Sequence, residues 1–280
     1  MKRQLLCVAV LANILPTLLA ITPLRAEEQA ANADAPKPSD SEDSPSAETG
    51  DSVDALSSKA TDPTASLMAF NFKGLWSNFH GPDVPGQQDD RWEFQFQPVI
   101  PFEALGRPNI FRATIPYQLG GRGDEGFEPI SLFDLLVFNQ KWGRWGLGPL
   151  MTIDTTGEAP DEVALGPAIG GVWRVNKKLN LGVFNQNVFW DDTAVSQLQP
   201  VIAYQLGQGW SLSAGDLQFV YDWKRDRWVN VPVGFQLGKV IKLGKLPVRL
   251  SVNPQYNLID DAGLPKWIVA FTFTALFPSF

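Results

Sequence analysis

Apolar and polar residues alternate along the C-terminal part of the chain with the period of a β-strand. Between residues 246 and 259 the even positions are apolar and most odd positions are polar. Such alternation directs one set of side chains to each face of a sheet. The stretch 229–243 alternates in the opposite phase. A two-residue turn that pairs Leu243 with Leu246 therefore places both apolar sets on the same face.

The same pattern predicts twelve strands in residues 66–280. They lie at 67–76, 91–103, 108–119, 128–142, 145–153, 163–175, 179–190, 196–206, 210–223, 228–243, 246–259 and 266–280. A soluble sandwich also alternates, but most of these strands exceed the usual length of about five or six residues. A tilted strand needs roughly 9–11 residues to cross a bilayer. We therefore predict an all-β fold, a transmembrane antiparallel up-and-down β-barrel of about 12 strands with a polar interior.

The predicted connections alternate between tight turns and longer loops. Tight turns are expected at 104–107, 143–144, 176–178, 207–209 and 244–245, and longer connections at 80–90, 120–127, 154–162, 191–195 and 260–265. In bacterial outer-membrane barrels the short turns face the periplasm, so we place the tight turns and both mature termini there. Nine of the ten tryptophans also lie near predicted strand ends, where amphipathic rings favour the membrane–water boundary.

The residues before the barrel divide into two segments of different composition. Residues 1–26 combine a basic start with an apolar run, which predicts a cleaved secretory signal peptide, with a retained transmembrane helix as the alternative. This segment holds the only cysteine, Cys7. Residues 27–65 contain ten acidic and two basic residues and no aromatic residue, so we expect a disordered acidic periplasmic tail. Such a tail could also contact peptidoglycan or another protein.

Net charge and the last residues indicate the partners. The formal charge of −7 divides into +3 for the signal peptide, −8 for the tail and −2 for residues 66–280, which leaves no basic surface for nucleic acid. The chain ends at Phe280, the residue type that outer-membrane assembly machinery reads, although Pro278 interrupts the alternation. We expect outer-membrane lipid and lipopolysaccharide, the barrel assembly machinery through the C-terminal strand, and a small-molecule solute as partners at the cell outer membrane.

Several blocks of the sequence resemble one family. They are FQFQPVIPF (94–102), NIFRATIPYQL (109–119), WGLGPLMTIDTTG (145–157), VALGPAIGGVW (163–173) and WVNVPVGFQLGKVIKLGKLPVRLSVNPQYNL (228–258). In this order they resemble the outer-membrane transporter family labelled as the MetA pathway of phenol degradation, also called neuromedin-U-like. The resemblance covers nearly all of 67–280 and implies a barrel that transports small molecules. The chain departs from the family at IDTTG (153–157), where the family has a proline before the threonine.

Signals for catalysis and for metal binding are weak. His80 is the only histidine, and no GxSxG nucleophile motif accompanies it, so we predict no enzyme and no catalytic residue. Acidic residues in 154–162 and the pairs at 191–192 and 260–261 could hold calcium at the outer surface. Solvated loops are the interpretation we favour for them, and we expect no cofactor and no bound metal.

Strand parity assigns the residues that face the lumen. Symmetric pairing sets Gln97 opposite Thr114, and it sets Arg249 opposite Val240 beside Gly238. The predicted pore-lining residues are Glu93, Gln95, Gln97, Arg112, Thr114, Asn230, Gln236, Arg249, Ser251, Asn253, Gln255 and Asn257. Amides and hydroxyls dominate this set, so the predicted pore is polar and weakly anion-favouring.

These features make a passive outer-membrane channel or transporter the leading hypothesis. Its solutes would be small, and could include small organic or aromatic compounds. A non-transporting structural or receptor-like barrel is the alternative, and an outer-membrane barrel enzyme is the third hypothesis. A barrel of this size can also be filled by its own side chains, so a closed lumen is the rival of an open pore.

Overall fold

The chain folds into strand segments preceded by a short helix. The computed structural model describes residues 52–79, 90–104, 106–121, 123–156, 163–189, 194–259 and 264–277. The helix is α1 (Val53–Ala60). The strand segments are β1 (Met68–Phe79), β2 (Asp90–Ala104), β3 (Arg107–Gly121), β4 (Gly126–Phe127), β5 (Ile130–Gln140), β6 (Gly143–Ile153), β7 (Val163–Arg174), β8 (Leu179–Phe189), β9 (Ala194–Gly207), β10 (Trp210–Ser213), β11 (Phe219–Asp222), β12 (Arg227–Asn230), β13 (Pro232–Gly234), β14 (Gln236–Leu243), β15 (Leu246–Asn257) and β16 (Pro265–Phe277).

These segments close into an antiparallel barrel with twelve wall strands. β10 and β11 both pair with β9 and form one interrupted wall strand. β12, β13 and β14 form the next one, and β4 is a short addition to β3. The last segment, β16, pairs with β1 from Phe277 opposite Met68, which closes the ring. The predicted antiparallel barrel of about twelve strands is confirmed.

The antiparallel order gives the barrel two different ends. The connections between β2 and β3, β5 and β6, β7 and β8, β9 and β10, and β14 and β15 are tight, and we call their side the turn end. The opposite side, where β1, β3 and β6 finish and β2, β7 and β16 begin, is the loop end. β1 begins and β16 finishes at the turn end, so the N-terminal segment joins the barrel there.

The hairpins follow the registers that parity predicts. Leu243 lies opposite Leu246, and Val240 lies opposite Arg249. Across the β2–β3 hairpin, Gln97 Nε2 donates a hydrogen bond to Thr114 Oγ1 at 2.9 Å. The phase of the alternation was therefore enough to specify which residues face each other in these hairpins.

One predicted turn is displaced by two residues. The prediction of a turn at 143–144 is wrong, because Gln140 pairs with Gly143 and the turn occupies the two residues between them. Phe138 and Trp145 consequently face each other and stack, with ring centroids 4.3 Å apart. A cross-strand aromatic pair of this kind stabilises its own register.

The outer face of the barrel is mostly apolar along the middle of the strands and aromatic at both ends. Leu147, Ile169 and Ile202 lie in mid-strand and are 43%, 48% and 50% exposed. Exposed tryptophans lie at the turn end (Trp142, Trp173 and Trp210) and at the loop end (Trp92, Trp223, Trp228 and Trp267). An apolar band between two aromatic girdles is the exterior of a barrel that crosses a bilayer.

Local signals explain why α1 forms. Ser52 is its N-cap, and the Ser52 Oγ accepts a hydrogen bond from Ala55 N at 3.2 Å. Asp54 lies in the first turn and Lys59 in the last, which places each charge where the helix dipole favours it. A helix of eight residues is nevertheless too short to be stable alone in water, so it depends on packing.

That packing takes place inside the barrel. Leu56 of α1 is 1% exposed and belongs to a buried cluster with Leu67, Val240 and Leu276. The prediction of a disordered tail that reaches residue 65 is therefore wrong for residues 52–65. Composition suggested disorder because polar and acidic residues dominate the whole tail, whereas a few apolar residues gain a buried site that only the closed barrel provides.

Some predictions concern residues outside the described ranges. The signal peptide, residues 27–51 of the tail, His80 and the C-terminal residues 278–280 all lie outside them. Among the described residues, no helix is long and apolar enough to cross a bilayer.

A pair of strand glycines tests the spacing between β5 and β6. A Cβ added at Gly148 would lie 1.7 Å from the Asp134 carbonyl oxygen, whereas one added at Gly74 would meet nothing within 4 Å. We expect Gly148→Ala to lower the free energy of unfolding by about 1–3 kcal/mol, the usual range for overpacking, and Gly74→Ala to leave it nearly unchanged. Urea titration of the refolded protein, followed by the heat-sensitive band on electrophoresis, measures both. Equal midpoints for the two variants would contradict this spacing.

Candidate functional site

A cavity of about 140 Å³ inside the barrel is the candidate functional site. The N-terminal segment lines it through residues between 59 and 67, and residues 215 and 216 line it from the connection between β10 and β11. Side chains of the wall strands complete the lining. The site thus combines residues that parity predicted with residues that it did not.

Four predicted lumen residues form hydrogen-bonded contacts inside the β2–β3 hairpin. Glu93 is 7% exposed and accepts hydrogen bonds from Gln95 Nε2 at 2.6 Å and from Arg91 Nη2 at 2.8 Å. Gln97 and Thr114 bond to each other further along the strands. Because their polar atoms are occupied by neighbours, these residues present a largely neutral wall.

The predicted residues of β14 and β15 form a second network around a buried arginine. Arg249 is 5% exposed, and it donates from Nη2 to Gln236 Oε1 at 2.9 Å and from Nη1 to Ser251 Oγ at 3.4 Å. A Cβ added at Gly238 would lie 2.4 Å from Arg249 Nη2. The absence of a side chain at this glycine therefore gives the guanidinium its place, as parity predicted.

The other predicted residues secure the wall and its irregular segments. Gln255 Nε2 donates to Asn253 Oδ1 at 2.8 Å. Asn253, Asn257 and Asn230 each form a hydrogen bond with a backbone group of a neighbouring segment. Asn253 and Asn257 are 0% and 4% exposed, so they are structural in this conformation. That the twelve predicted residues line the path of a solute stays a prediction.

An ion pair that the sequence analysis did not identify lies inside the barrel. Residues 214–218 interrupt the wall strand between β10 and β11, and Asp216 contacts Lys73 of β1, with Oδ2 and Nζ 2.6 Å apart. Gln199 Nε2 donates to the Gly215 carbonyl oxygen at 3.1 Å and steadies this segment. The Lys73 side chain is 9% exposed and that of Asp216 is 39% exposed. Asp216 lines the cavity, so its exposed part faces the lumen.

Arg112 differs from the other lumen cations in its contacts. Its guanidinium carbon lies 4.4 Å from the ring centroid of Phe133 and 5.7 Å from that of Phe184. Its Nε is buried without an acceptor, and the described residues provide no hydrogen-bond partner for its guanidinium. Arg112 also lines the cavity, so its side chain borders that space.

The β5–β8 side of the lumen carries an apolar cluster. Phe184 is 0% exposed and packs against Phe133 with ring centroids 5.4 Å apart, in a cluster that includes Leu135 and Leu150. A Cβ added at Gly170 would lie 2.3 Å from the Phe184 ring, so this glycine makes room for it. The expectation of a polar interior is wrong for this cluster, although Thr152, Asn180 and Gln186 are buried polar residues on the same strands. The reason is that β5 carries apolar residues on both faces, so only one of its apolar sets can face outward.

The N-terminal segment lies across the turn end of the lumen. Asp62 pairs with Arg144 of β6, and Asp54 accepts a hydrogen bond from Gly209 N in the β9–β10 turn. Leu56 provides the apolar anchor on the side of β14. These contacts lie on different sides of the opening, so the segment crosses it. We call residues 52–67 the plug.

Metal binding has little support in the described part of the chain. These residues contain no group of three or more His, Cys, Asp or Glu side chains placed to hold a metal ion. Of the acidic loop residues considered for calcium, Asp154 is described, and its Oδ1 accepts hydrogen bonds from Thr156 N and Oγ1 at 2.8 and 2.7 Å. The described lining of the cavity offers charged, hydrogen-bonding and apolar side chains.

Comparisons with known proteins agree with the fold. No protein family and no curated protein matches the sequence. The structure is similar to the COG4313 outer membrane channel from Pseudomonas putida F1, with a TM-score of 0.51 and 11% identity over 76% of this chain and 96% of that one. KdgM porin in complex with disordered oligogalacturonate aligns with a TM-score of 0.46 and 7% identity over 76% and 99% of the two chains. Outer membrane phospholipase A from Escherichia coli aligns with a TM-score of 0.42 and 14% identity over 74% and 92%.

At such low identity the first likeness shows the fold alone, that of an outer-membrane barrel. The other two alignments, with their lower TM-scores, carry no argument. The label of the phenol-degradation family stays a resemblance of the sequence.

The contact between the plug and Arg144 gives a direct test. Ser57 of the plug is 0% exposed, so we expect the variant Ser57→Cys to react slowly with a water-soluble thiol reagent. Adding Arg144→Ala should speed the reaction severalfold, because the Asp62 end of the plug is released. Arg174→Ala is the matched control, since it removes an exposed charge from the same end. Equal labelling rates in the two arginine variants would show that the ion pair does not hold the plug.

Proposed function

We propose that the protein is a passive outer-membrane channel for small solutes. The observation that carries this proposal is the cavity of about 140 Å³, which Lys73, Arg112 and Arg249 line inside an apolar exterior. Buried cations destabilise a protein unless they are paired, and well-packed apolar residues could fill the same space without this penalty. Charge kept in the centre of a barrel therefore favours a role in handling solutes over a purely structural one.

The exterior supports the proposed location. The bilayer core cannot hydrogen-bond backbone N–H and C=O groups, so a fold that crosses it must pair them internally. A closed ring of strands does so. The two tryptophan girdles add the interfacial contacts that such a barrel makes with lipid. The N-terminal segment joins the barrel at the turn end, which we assign to the periplasm together with both mature termini.

The described conformation corresponds to a closed state in this proposal. The plug crosses the turn end, and the inward segment with Asp216 narrows the centre. Polar contacts hold both ends of the plug, and Leu56 and Leu67 are its members of the buried apolar cluster. Passage of a solute therefore requires the plug to shift, which breaks the Asp62–Arg144 ion pair and the hydrogen bond to Asp54.

A non-transporting barrel is the second candidate, and the apolar side of the lumen favours it. Phe184, Leu135 and Leu150 are at most 2% exposed and fill the space between β3 and β8. A barrel filled in this way across its whole section would be a structural element of the membrane. The charged cavity beside this cluster distinguishes the first candidate from the second.

Current through planar bilayers tests the proposal. We expect the folded mature protein to give small, infrequent currents, and we expect Asp54→Ala combined with Asp62→Ala to increase them severalfold by freeing the plug. Asp124→Ala combined with Asp154→Ala is the control, because it removes the same charge at the loop end. A complete lack of current and of solute flux in both folded variants would refute the channel. Currents that are equal in the two double variants would refute closure by the plug.

A further inference from the structure

The unpaired Arg112 and the apolar wall beneath it suit a solute with two unlike ends. We propose that the central cavity binds small amphiphilic carboxylates, of which one aromatic ring bearing one carboxylate is the simplest case. The carboxylate binds the Arg112 guanidinium, and the ring lies against the β3–β5 side of the cavity. This proposal rests on the proposed channel function and names the class of solute that the channel admits.

The wall of the cavity carries an excess of positive charge, which favours the binding of an anion. Lys73, Arg112 and Arg249 line it from the wall, and Asp216 is the carboxylate that faces all three. The second carboxylate of the lining, Asp62, already pairs with Arg144. The wall cations therefore exceed their counter-ion by two charges, and a bound carboxylate reduces this excess.

Arg112 is the cation best placed to make the contact. The Nη atoms of Arg249 bond to Gln236 and Ser251, and Lys73 Nζ is engaged by Asp216. Arg112 lies over Phe133 instead, which holds the guanidinium plane without using its N–H donors. A guanidinium presents these donors as a planar fork that matches the two oxygens of a carboxylate.

The apolar part of the lining accounts for the second end of the solute. Val99, Ile110 and Phe133 line the same cavity, and Ile110 and Phe133 belong to the buried apolar cluster. The volume of about 140 Å³ is close to that of an engineered apolar cavity of roughly 150 Å³ that binds benzene. One ring or a short branched chain therefore fits, whereas a long acyl chain does not.

The Asp216 carboxylate competes with the carboxylate of a bound solute for the cations of this site. Its carboxylate occupies Lys73 at 2.6 Å and faces the cavity into which the solute's carboxylate must come. Repulsion between the two carboxylates weakens binding of the solute, and conduction requires binding weak enough for release. Removing the charge of Asp216 should therefore strengthen binding while removing the charge of Arg112 weakens it.

Calorimetric titration of the folded mature protein in detergent tests the site with three probes. Benzoate has both ends, benzamide has the same shape without the charge, and acetate has the charge without the ring. We expect benzoate to bind at least about tenfold more tightly than either of the others, because each lacks one half of the contacts. Equal affinity for benzoate and benzamide, or binding of neither, would overturn the proposal without the need for any variant.

Variants then assign the contact to its residue. We expect Arg112→Gln to weaken benzoate binding by about tenfold or more, and Asp216→Asn to strengthen it. Arg174→Gln, an exposed arginine at the turn end, is the control and should leave the affinity unchanged. Benzoate affinity that is unaffected by Arg112→Gln in a variant with normal heat-sensitive mobility would refute the site.

Equilibrium binding and conductance separate this proposal from the function on which it rests. Benzoate binding by a protein that conducts nothing would refute the channel and leave the site in place. Conductance by a protein that does not distinguish benzoate from benzamide would refute the site and leave the channel in place.

Discussion

The pairing of β1 with β16 is the constraint on which the rest of the structure depends. It runs in register from Met68 opposite Phe277 to Asn78 opposite Trp267, and it leaves the sheet without a free edge. An open edge would leave backbone groups unsatisfied in a bilayer, so closure is the condition for this fold there. Closure also makes the two faces of each strand different, because it turns Phe72 toward the exterior and Lys73 toward the lumen. The ion pair between β1 and the segment at 216, which are far apart in the sequence, exists only within this ring.

A closed ring of twelve strands encloses little space, and two kinds of side chain compete for it. From β5 to β8 the space is taken by aromatic and aliphatic side chains that pack as in the core of a soluble protein. From β14 through β16 to β2 it is taken by amides, hydroxyls and arginines that bond to one another, except beside the plug, where Leu56 packs with Val240 and Leu276. The interior therefore has an apolar side and a mainly polar side. Arg112 lies at the boundary, where its guanidinium contacts the Phe133 ring and its side chain lines the cavity.

The sequence predicted features that depend on local pattern, but it did not predict contacts between residues that are far apart in the chain. Alternation alone placed Leu243 opposite Leu246 and Arg249 beside Gly238, because register within a hairpin follows from the phase of adjacent strands. The inward turn at 214–218 was missed, since the residues around it alternate well enough to suggest one continuous strand. The plug was missed because the burial of Leu56 depends on β14 and β16. The pairing of Phe138 with Trp145 likewise moved a turn that local pattern had placed two residues later.

The seven residues between α1 and β1 limit how far the helix of the plug can move after it leaves its binding position. A fully extended chain of that length spans at most about 25 Å, so the helix stays within reach of the opening that it has just vacated. Return is then an intramolecular event with a high effective concentration, and reseating does not depend on how much protein the membrane contains. The helix therefore remains tethered beside its binding position. Its strength of closure can be adjusted through single ionic contacts, because the tether ensures that even weak contacts are re-formed.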